Sequence, residues 1–423
     1  MRKLTSFLLP ISVLALAVPG FATQALAQGA DEAVEEIIVS GFRGKARSSQ
    51  SYAVAQAVGH RLFVLYRDVL HCLSPVERKV LWTRTLETRG QASGYYYSPN
   101  QQTARPMQSG QSILSGQALM QRNSQTGMLA VANSKYVCVY GRRKFTVLDA
   151  ATGDIRWTRG HVPAYTKLVG NEDVLYMVPQ NRNEAIAFRA ADGKPITVEN
   201  VGGLMAKAIR ISERGLVLVD SRSRSSLLGL SSSTSTVIHQ FDPLTKKTHW
   251  RHSFPSGAYF TLIEGDRLAV LRKDGTFALL DLENGRLTEL GKLDDSELKS
   301  RSGIYVIADH DNVYLMANKS KRSGSYYSLG LPFVRVNGTV FAFDRRNGKR
   351  LWKQAVPNQN LVLSQFEHSP VMTFAMRTYV RKDGLNYWTL DMVAIDKKTG
   401  RKLIDTTTPV NSSCRSVDAS LAA

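Results

Sequence analysis

Beyond residue 52 one pattern recurs along the chain, and it restricts the fold more than any other feature. Two apolar strands are followed by a third ending in Asp, a tight turn, and a fourth strand that often carries Trp. The clearest copy holds Asp149, Gly153 and Trp157, and a second holds Asp344, Gly348 and Trp352. Asp396 with Gly400, and Asp281 with Gly285, repeat the turn. Asp242 and Trp250 bracket a copy without the Gly, while Ser74 to Trp82 and Arg189 to Gly193 are degenerate copies. An Asp side chain can accept hydrogen bonds from backbone amides two residues ahead, and Gly accepts a positive φ where a hairpin reverses. Alternation in the strands, as at Val340 to Phe343, buries one set of side chains between neighbouring sheets. Trp offers a large apolar area for packing one sheet on the next.

The turns begin at residues 74, 149, 189, 242, 281, 344 and 396, so the spacings are 75, 40, 53, 39, 63 and 52. The shortest match a four-stranded blade of ~40–45 residues, and the longer ones contain insertions. Over roughly residues 52–405 the pattern resembles the PQQ-like β-propeller repeat family, which includes quinoprotein dehydrogenases and BamB-type assembly lipoproteins. The resemblance implies an all-β fold of seven four-stranded antiparallel blades. An eighth blade has two places to hide: the first spacing, and residues 406–423, which fit no blade. Function is not implied, because the same repeat serves enzymes and scaffolds.

With the strands of a blade named A to D, six A-to-B turns are expected: at 59–60, 133–134, 171–173, 212–214, 264–266 and 309–312. The Asp…Gly turns are then C-to-D hairpins on the same rim, with B-to-C and D-to-A connections on the other. Residues 221–236, 318–337 and 377–389 are expected as B-to-C loops, the first of them Ser-rich. Residues 88–126 form a D-to-A connection. All four insertions should crowd one face.

Residues 1–27 read as a secretory signal peptide. Arg2 and Lys3 precede an apolar stretch from Phe7 to Pro19, and Ala25, Leu26 and Ala27 form an A-x-A-like cleavage site. No later segment approaches ~18 uninterrupted apolar residues, so an exported chain without a membrane helix is expected, periplasmic or peripheral to the outer membrane. No Cys follows the cleavage site, which argues against a lipid anchor there. Residues 28–51 form an arm in which Val34 to Arg43 resembles the TonB-box region of TonB-dependent outer-membrane receptors. That resemblance implies a β-forming strip able to add to a partner's sheet edge, with TonB as the partner. The alternating ~10-residue strands of a large membrane barrel do not follow it.

The quinoprotein members of the family use an adjacent Cys pair, a calcium-holding carboxylate group and a stacking Trp. Here Cys72, Cys138 and Cys414 are isolated, and Trp82, Trp157, Trp250 and Trp352 sit at the blade motif, where packing is the expectation. His249 and His252 lie three apart on a strand and therefore face opposite ways. Residues 309–312, with two Asp, one His and one Asn, could offer oxygen ligands to Ca²⁺ but also suit a polar hairpin turn. Neither G-x-S-x-G, H-E-x-x-H nor a phosphate-binding Gly loop occurs. No catalytic residue, cofactor or metal is expected.

Charge points to binding instead. Lys+Arg total 55 against 35 Asp+Glu, a formal +20, and part of that excess lies in the insertions. Tyr95, Tyr96, Tyr97 and Arg105 lie in the first; Lys319, Lys321, Arg322, Tyr326 and Tyr327 in the next; Arg377, Tyr379, Arg381, Lys382, Tyr387 and Trp388 in the last. Tyr, Trp and Arg are enriched at interface hot spots. The sequence therefore predicts a non-catalytic scaffold whose basic, aromatic face binds a cell-envelope protein, or an anionic polymer or surface. Nucleic acid would suit the same residue types, but export argues against it.

Overall fold

The computed structural model describes residues 53–86, 108–109, 129–294, 301–319 and 333–410, apart from 67, 142, 164–165, 226–231, 264–265, 365 and 383–384. The expected signal peptide, the TonB-box-like arm and the last thirteen residues, 411–423, lie outside the described residues.

Strands dominate. The first sheet runs β1 (Ala53–Val58), β2 (Arg61–Tyr66), β3 (Val69–Ser74), β4 (Lys79–Thr85). A two-residue strand, β5 (Gln108–Ser109), comes next in the chain. The second sheet is β6 (Leu129–Ala132), β7 (Tyr136–Gly141), β8 (Lys144–Asp149), β9 (Ile155–Arg159). The third is β10 (Lys167–Gly170), β11 (Val174–Val178), β12 (Ile186–Arg189), β13 (Pro195–Ile196). A short helix, α1 (Val201–Lys207), precedes the fourth: β14 (Ala208–Ser212), β15 (Gly215–Ser225), β16 (Ser232–Asp242), β17 (Lys247–Pro255). In the fifth, β18 (Tyr259–Ile263), β19 (Arg267–Leu271), β20 (Thr276–Asp281) and β21 (Leu287–Lys292) are joined by β5, which pairs with β18.

The last sheet has seven strands: β22 (Arg301–Ala308), β23 (Asn312–Lys319), β24 (Phe333–Asp344), β25 (Arg350–Val362), β26 (Val371–Lys382), β27 (Leu385–Asp396) and β28 (Lys402–Val410). A single residue pair, Leu361 with Phe374, joins β25 to β26. The sheet therefore divides into four strands followed by three. β28 runs on to Val410, past the expected end of the repeat at 405. Neighbouring strands are antiparallel and, β5 apart, follow the order of the chain, which is how β-propeller blades are built. The fold is all-β, and each of the seven expected Asp…Gly-type turns falls between the third and fourth strands of a group, or the last two of the final three.

The described strands fall in two compact units. The first holds β1–β4 and β6–β13, and the second holds β5 and β14–β28. Within each unit, apolar side chains pack between consecutive sheets. In the first, Phe63 and Leu148 belong to one cluster, and Phe145 and Phe188 to another. In the second, Phe254 and Leu280, Phe277 and Phe343, and Tyr314 and Phe374 mark three successive layers. Burying a side chain of this size contributes about 1.5–3 kcal/mol.

The turn chemistry is as the sequence implies. Asp149 Oδ1 accepts from the Ala151 and Thr152 amides at 2.7 and 3.1 Å. Asp281 accepts from Glu283 and Asn284, Asp344 from Arg346 and Asn347, and Asp396 from the Thr399 amide. Asp149 also binds the Arg156 guanidinium at 2.7 Å, and this ion pair holds its carboxyl below the usual range. In the two turns without Gly, Arg78 and Lys246 take the left-handed conformation, with φ of 52° and 57°.

Each motif Trp packs over the turn glycine of the following sheet. A Cβ built on Gly153 would lie 2.6 Å from the Trp82 ring, and on Gly193 2.5 Å from that of Trp157. Gly285 meets Trp250 and Gly400 meets Trp352 in the same way. The indole N–H then donates to the residue after the turn's first position: Trp82 to Ala150 O, Trp157 to Ala190 O, Trp352 to Lys397 O. At Trp250 the pattern changes. Its N–H is buried without a hydrogen-bond partner, and His252 Nε2 donates instead to Gly285 O at 2.7 Å. His249 is exposed and falls at a shift in the β16–β17 register, where strict alternation does not apply.

His71 on β3 is buried, with Nδ1 3.0 Å from Thr83 Oγ1. Burial pushes its pKa down, so at mildly acid pH the unfolded chain takes up a proton that the folded one refuses. Stability from this group is therefore complete above the unfolded pKa of about 6.5 and is lost as pH falls below it. His71→Gln is expected to flatten the fall in melting temperature between about pH 7 and pH 5. An equally steep fall in the variant would assign the acid sensitivity elsewhere.

Candidate partner-binding surface

Two of the expected B-to-C loops are strands. Residues 221–225 pair with 232–236 as the ends of β15 and β16, with Arg222 opposite Ser235. Residues 377–382 pair with 385–390 as the ends of β26 and β27, from Arg377 opposite Leu390 to Lys382 opposite Leu385. These strand extensions have a physical reason. A B-to-C insertion continues two antiparallel strands, so extending both costs no change of direction, and Thr, Tyr, Trp and Val favour it. Of residues 318–337, Lys319 ends β23 and is exposed, while Asn318 donates to Arg335 O at 2.9 Å and accepts from the Asn337 amide at 2.8 Å. Lys321, Arg322, Tyr326 and Tyr327 lie outside the described residues, as do Tyr95, Tyr96, Tyr97 and Arg105.

The β26–β27 hairpin sorts its candidates onto two faces. Tyr379 stands directly opposite Trp388, so Arg377, Tyr379 and Arg381 share a face with Trp388 and Leu390. By the same alternation, positions 382 and 387 fall on the other face, with Thr378 and Asp391. Within the first group, Arg377 and Tyr379 both contact Trp388. The Arg377 guanidinium lies 4.2 Å from the centroid of the Trp388 ring, a cation–π stack. The Tyr379 and Trp388 rings are 4.8 Å apart, and Tyr379 is 53% exposed. On the other face, Asp391 accepts from Thr378 Oγ1 and Thr407 Oγ1. Register brings Arg377, Tyr379, Arg381 and Trp388 together and separates them from Lys382 and Tyr387.

A second polar cluster went unread in the sequence, and it is buried. Lys397 Nζ is 2.9 Å from Asp309 Oδ2, with both side chains under 10% exposed. Tyr314 donates its hydroxyl to the same oxygen at 2.9 Å, Lys397 also donates to Phe366 O, and its ammonium sits 4.0 Å from the Phe366 centroid. Asp309 Oδ1 accepts the Asp311 and Asn312 amides. Both oxygens of the Asp309 carboxylate are thus engaged by the protein, and 309–312 forms the turn between β22 and β23. No group of three or more His, Cys, Asp or Glu that could hold a metal occurs among the described residues.

Among the described residues nothing matches the adjacent Cys pair of the quinone site that the resemblance implies. Cys72 on β3 and Cys138 on β7 are buried free thiols in separate sheets. Burial pushes the Cys72 pKa up to about 11 and raises that of Cys138 further, so both stay protonated at neutral pH. Four of the five Trp side chains cover turn glycines.

The family model described as outer membrane protein assembly factor BamB matches residues 97–199 and 212–413. The chain belongs to this BamB family. Among solved structures, BamB from Moraxella catarrhalis is 12% identical with a TM-score of 0.27, over 85% of this chain and 88% of that one. A quinohemoprotein alcohol dehydrogenase, ADHIIG from Pseudomonas putida HK5, is 12% identical with a TM-score of 0.28, over 84% and 66%. The WD40 domain of SCAP from fission yeast is 8% identical with a TM-score of 0.32, over 86% and 88%. Comparison with curated proteins finds no match. The BamB-family match takes in the β26–β27 hairpin as well as every repeated turn after the one at residue 74.

Proposed function

We propose that the chain is an exported, non-catalytic scaffold that binds protein partners in the cell envelope, in the assembly of outer membrane proteins. Membership of the family described by BamB carries this reading. The expected organisation accompanies it: a signal peptide at 1–27, an arm at 28–51, and a repeat domain from 52. The binding face consists of the basic, aromatic B-to-C and D-to-A insertions, whose described part includes Lys319, Arg381 and the stacked Arg377, Tyr379 and Trp388. Positive charge speeds encounter with an acidic partner, and ordered aromatic rings supply contact area at low entropic cost.

Reversing Lys319, Lys321, Arg322, Arg381 and Lys382 to Glu is expected to abolish capture of envelope proteins by the tagged chain. The melting temperature should barely move, because exposed charges away from packed sites alter stability by no more than about 0.5 kcal/mol each. Reversing Asp149, Asp281 and Asp344 should instead weaken the hairpins and lower the melting temperature, without selective loss of capture. If the Asp set removes capture from a folded protein and the basic set does not, the binding face is the other rim.

A further inference from the structure

The exposed face of the β26–β27 hairpin has a regular spacing that bears on what it binds. Arg377, Tyr379 and Arg381 succeed one another at every second residue of β26. Their side chains therefore stand about 7 Å apart, with some 13 Å between the two guanidinium-bearing positions. Trp388 lies beside Tyr379 and carries the Arg377 guanidinium on its ring. Two acidic residues of β27 and β28 are turned away from this face. Asp391 lies on the opposite face, bound to Thr378 and Thr407. Asp405 stands opposite Val393, also on that face, and pairs with Lys402.

We propose that this face binds an extended acidic peptide segment of a protein partner, with carboxylates at positions i and i+4 and an aromatic residue at i+2. The inference rests on the scaffold reading and names the chemistry of its partner. An extended chain presents alternate side chains to one side with the same period of about 7 Å, so each carboxylate meets an arginine and the central ring meets Tyr379 and Trp388. The stack holds Arg377 in place before binding, which reduces the ordering cost of the contact. A lipid surface fits less well. An interfacial anchor projects its apolar groups outward to reach the acyl boundary, whereas these two rings lean on one another across the sheet.

The test is fluorescence anisotropy with the full chain and a labelled peptide, acetyl-Glu-Ser-Phe-Ser-Glu-amide, against its Gln-Ser-Phe-Ser-Gln analogue. The acidic peptide should bind about tenfold or more tightly than the analogue, and weaken as salt rises from about 50 to 500 mM. Arg377→Gln with Arg381→Gln should remove the preference for Glu over Gln. Tyr379→Ala should weaken both peptides alike, and Arg346→Gln, on a C-to-D turn, should change nothing. Circular dichroism of each variant separates loss of binding from loss of fold. Equal affinity for the two peptides, or binding only to vesicles containing anionic lipid, overturns the proposal. If the double Arg→Gln variant still captures envelope proteins, the scaffold reading stands and this assignment falls.

Discussion

Lys397→Met is expected to destabilise the second unit by about 3–5 kcal/mol, the cost of leaving one member of a buried ion pair without the other. The Asp309 carboxylate would keep its turn amides and the Tyr314 hydroxyl but lose its counter-charge in a site with almost no access to water. Adding Asp309→Asn should recover most of the loss, since Asn keeps an acceptor for the turn and carries no charge. Urea unfolding followed by tryptophan fluorescence can measure both variants, because Trp352 donates to Lys397 O and reports on the same junction. A single variant within 1 kcal/mol of the parent, a value about a third of the lower bound, would show that water reaches the pair.

The second large effect is expected at Gly153. Its φ of 75° is left-handed, which costs a residue with a Cβ about 1–2 kcal/mol. The new methyl would also lie 2.6 Å from the Trp82 ring, and overpacking of this kind costs about 1–3 kcal/mol more. Trp82→Ala combined with Gly153→Ala separates the two terms. The clash disappears in the double variant while the conformational cost stays, so the two losses should be less than additive. Strict additivity of thermal midpoints would mean that Trp82 does not rest on this glycine.

The turns were legible because their chemistry is local. Asp149 and Gly153 lie within one hairpin, and the hydrogen bonds and backbone conformation of the turn are set inside it. The six A-to-B turns were equally legible from short polar interruptions between apolar runs, as between β10 and β11. The ends of β15 and β16 were not. Ser, Arg and Thr alternate there without an apolar face, so the period-2 signal that marks a strand is absent. β5 is two residues long and carries no signal of its own. At the hairpin of β26 and β27 the residue types were readable, but the division of Arg377 from Lys382 depends on register. Nothing local in the sequence marks Lys397, because the acid it meets belongs to another hairpin.

The seat formed by each Trp and the next glycine has a consequence for how such a chain can be cut and recombined. Its two halves belong to different sheets: Trp157 ends one group, and Gly193 turns the next. A single sheet lifted out whole would carry an indole without its floor and a floor without its indole. The self-sufficient cassette runs from one Trp to the following glycine, with its boundaries inside the C-to-D hairpin, as between Gly153 and Trp157. Chimeras and circular permutants joined within that hairpin keep every seat intact, whereas those joined between sheets carry the halves of different parents into contact.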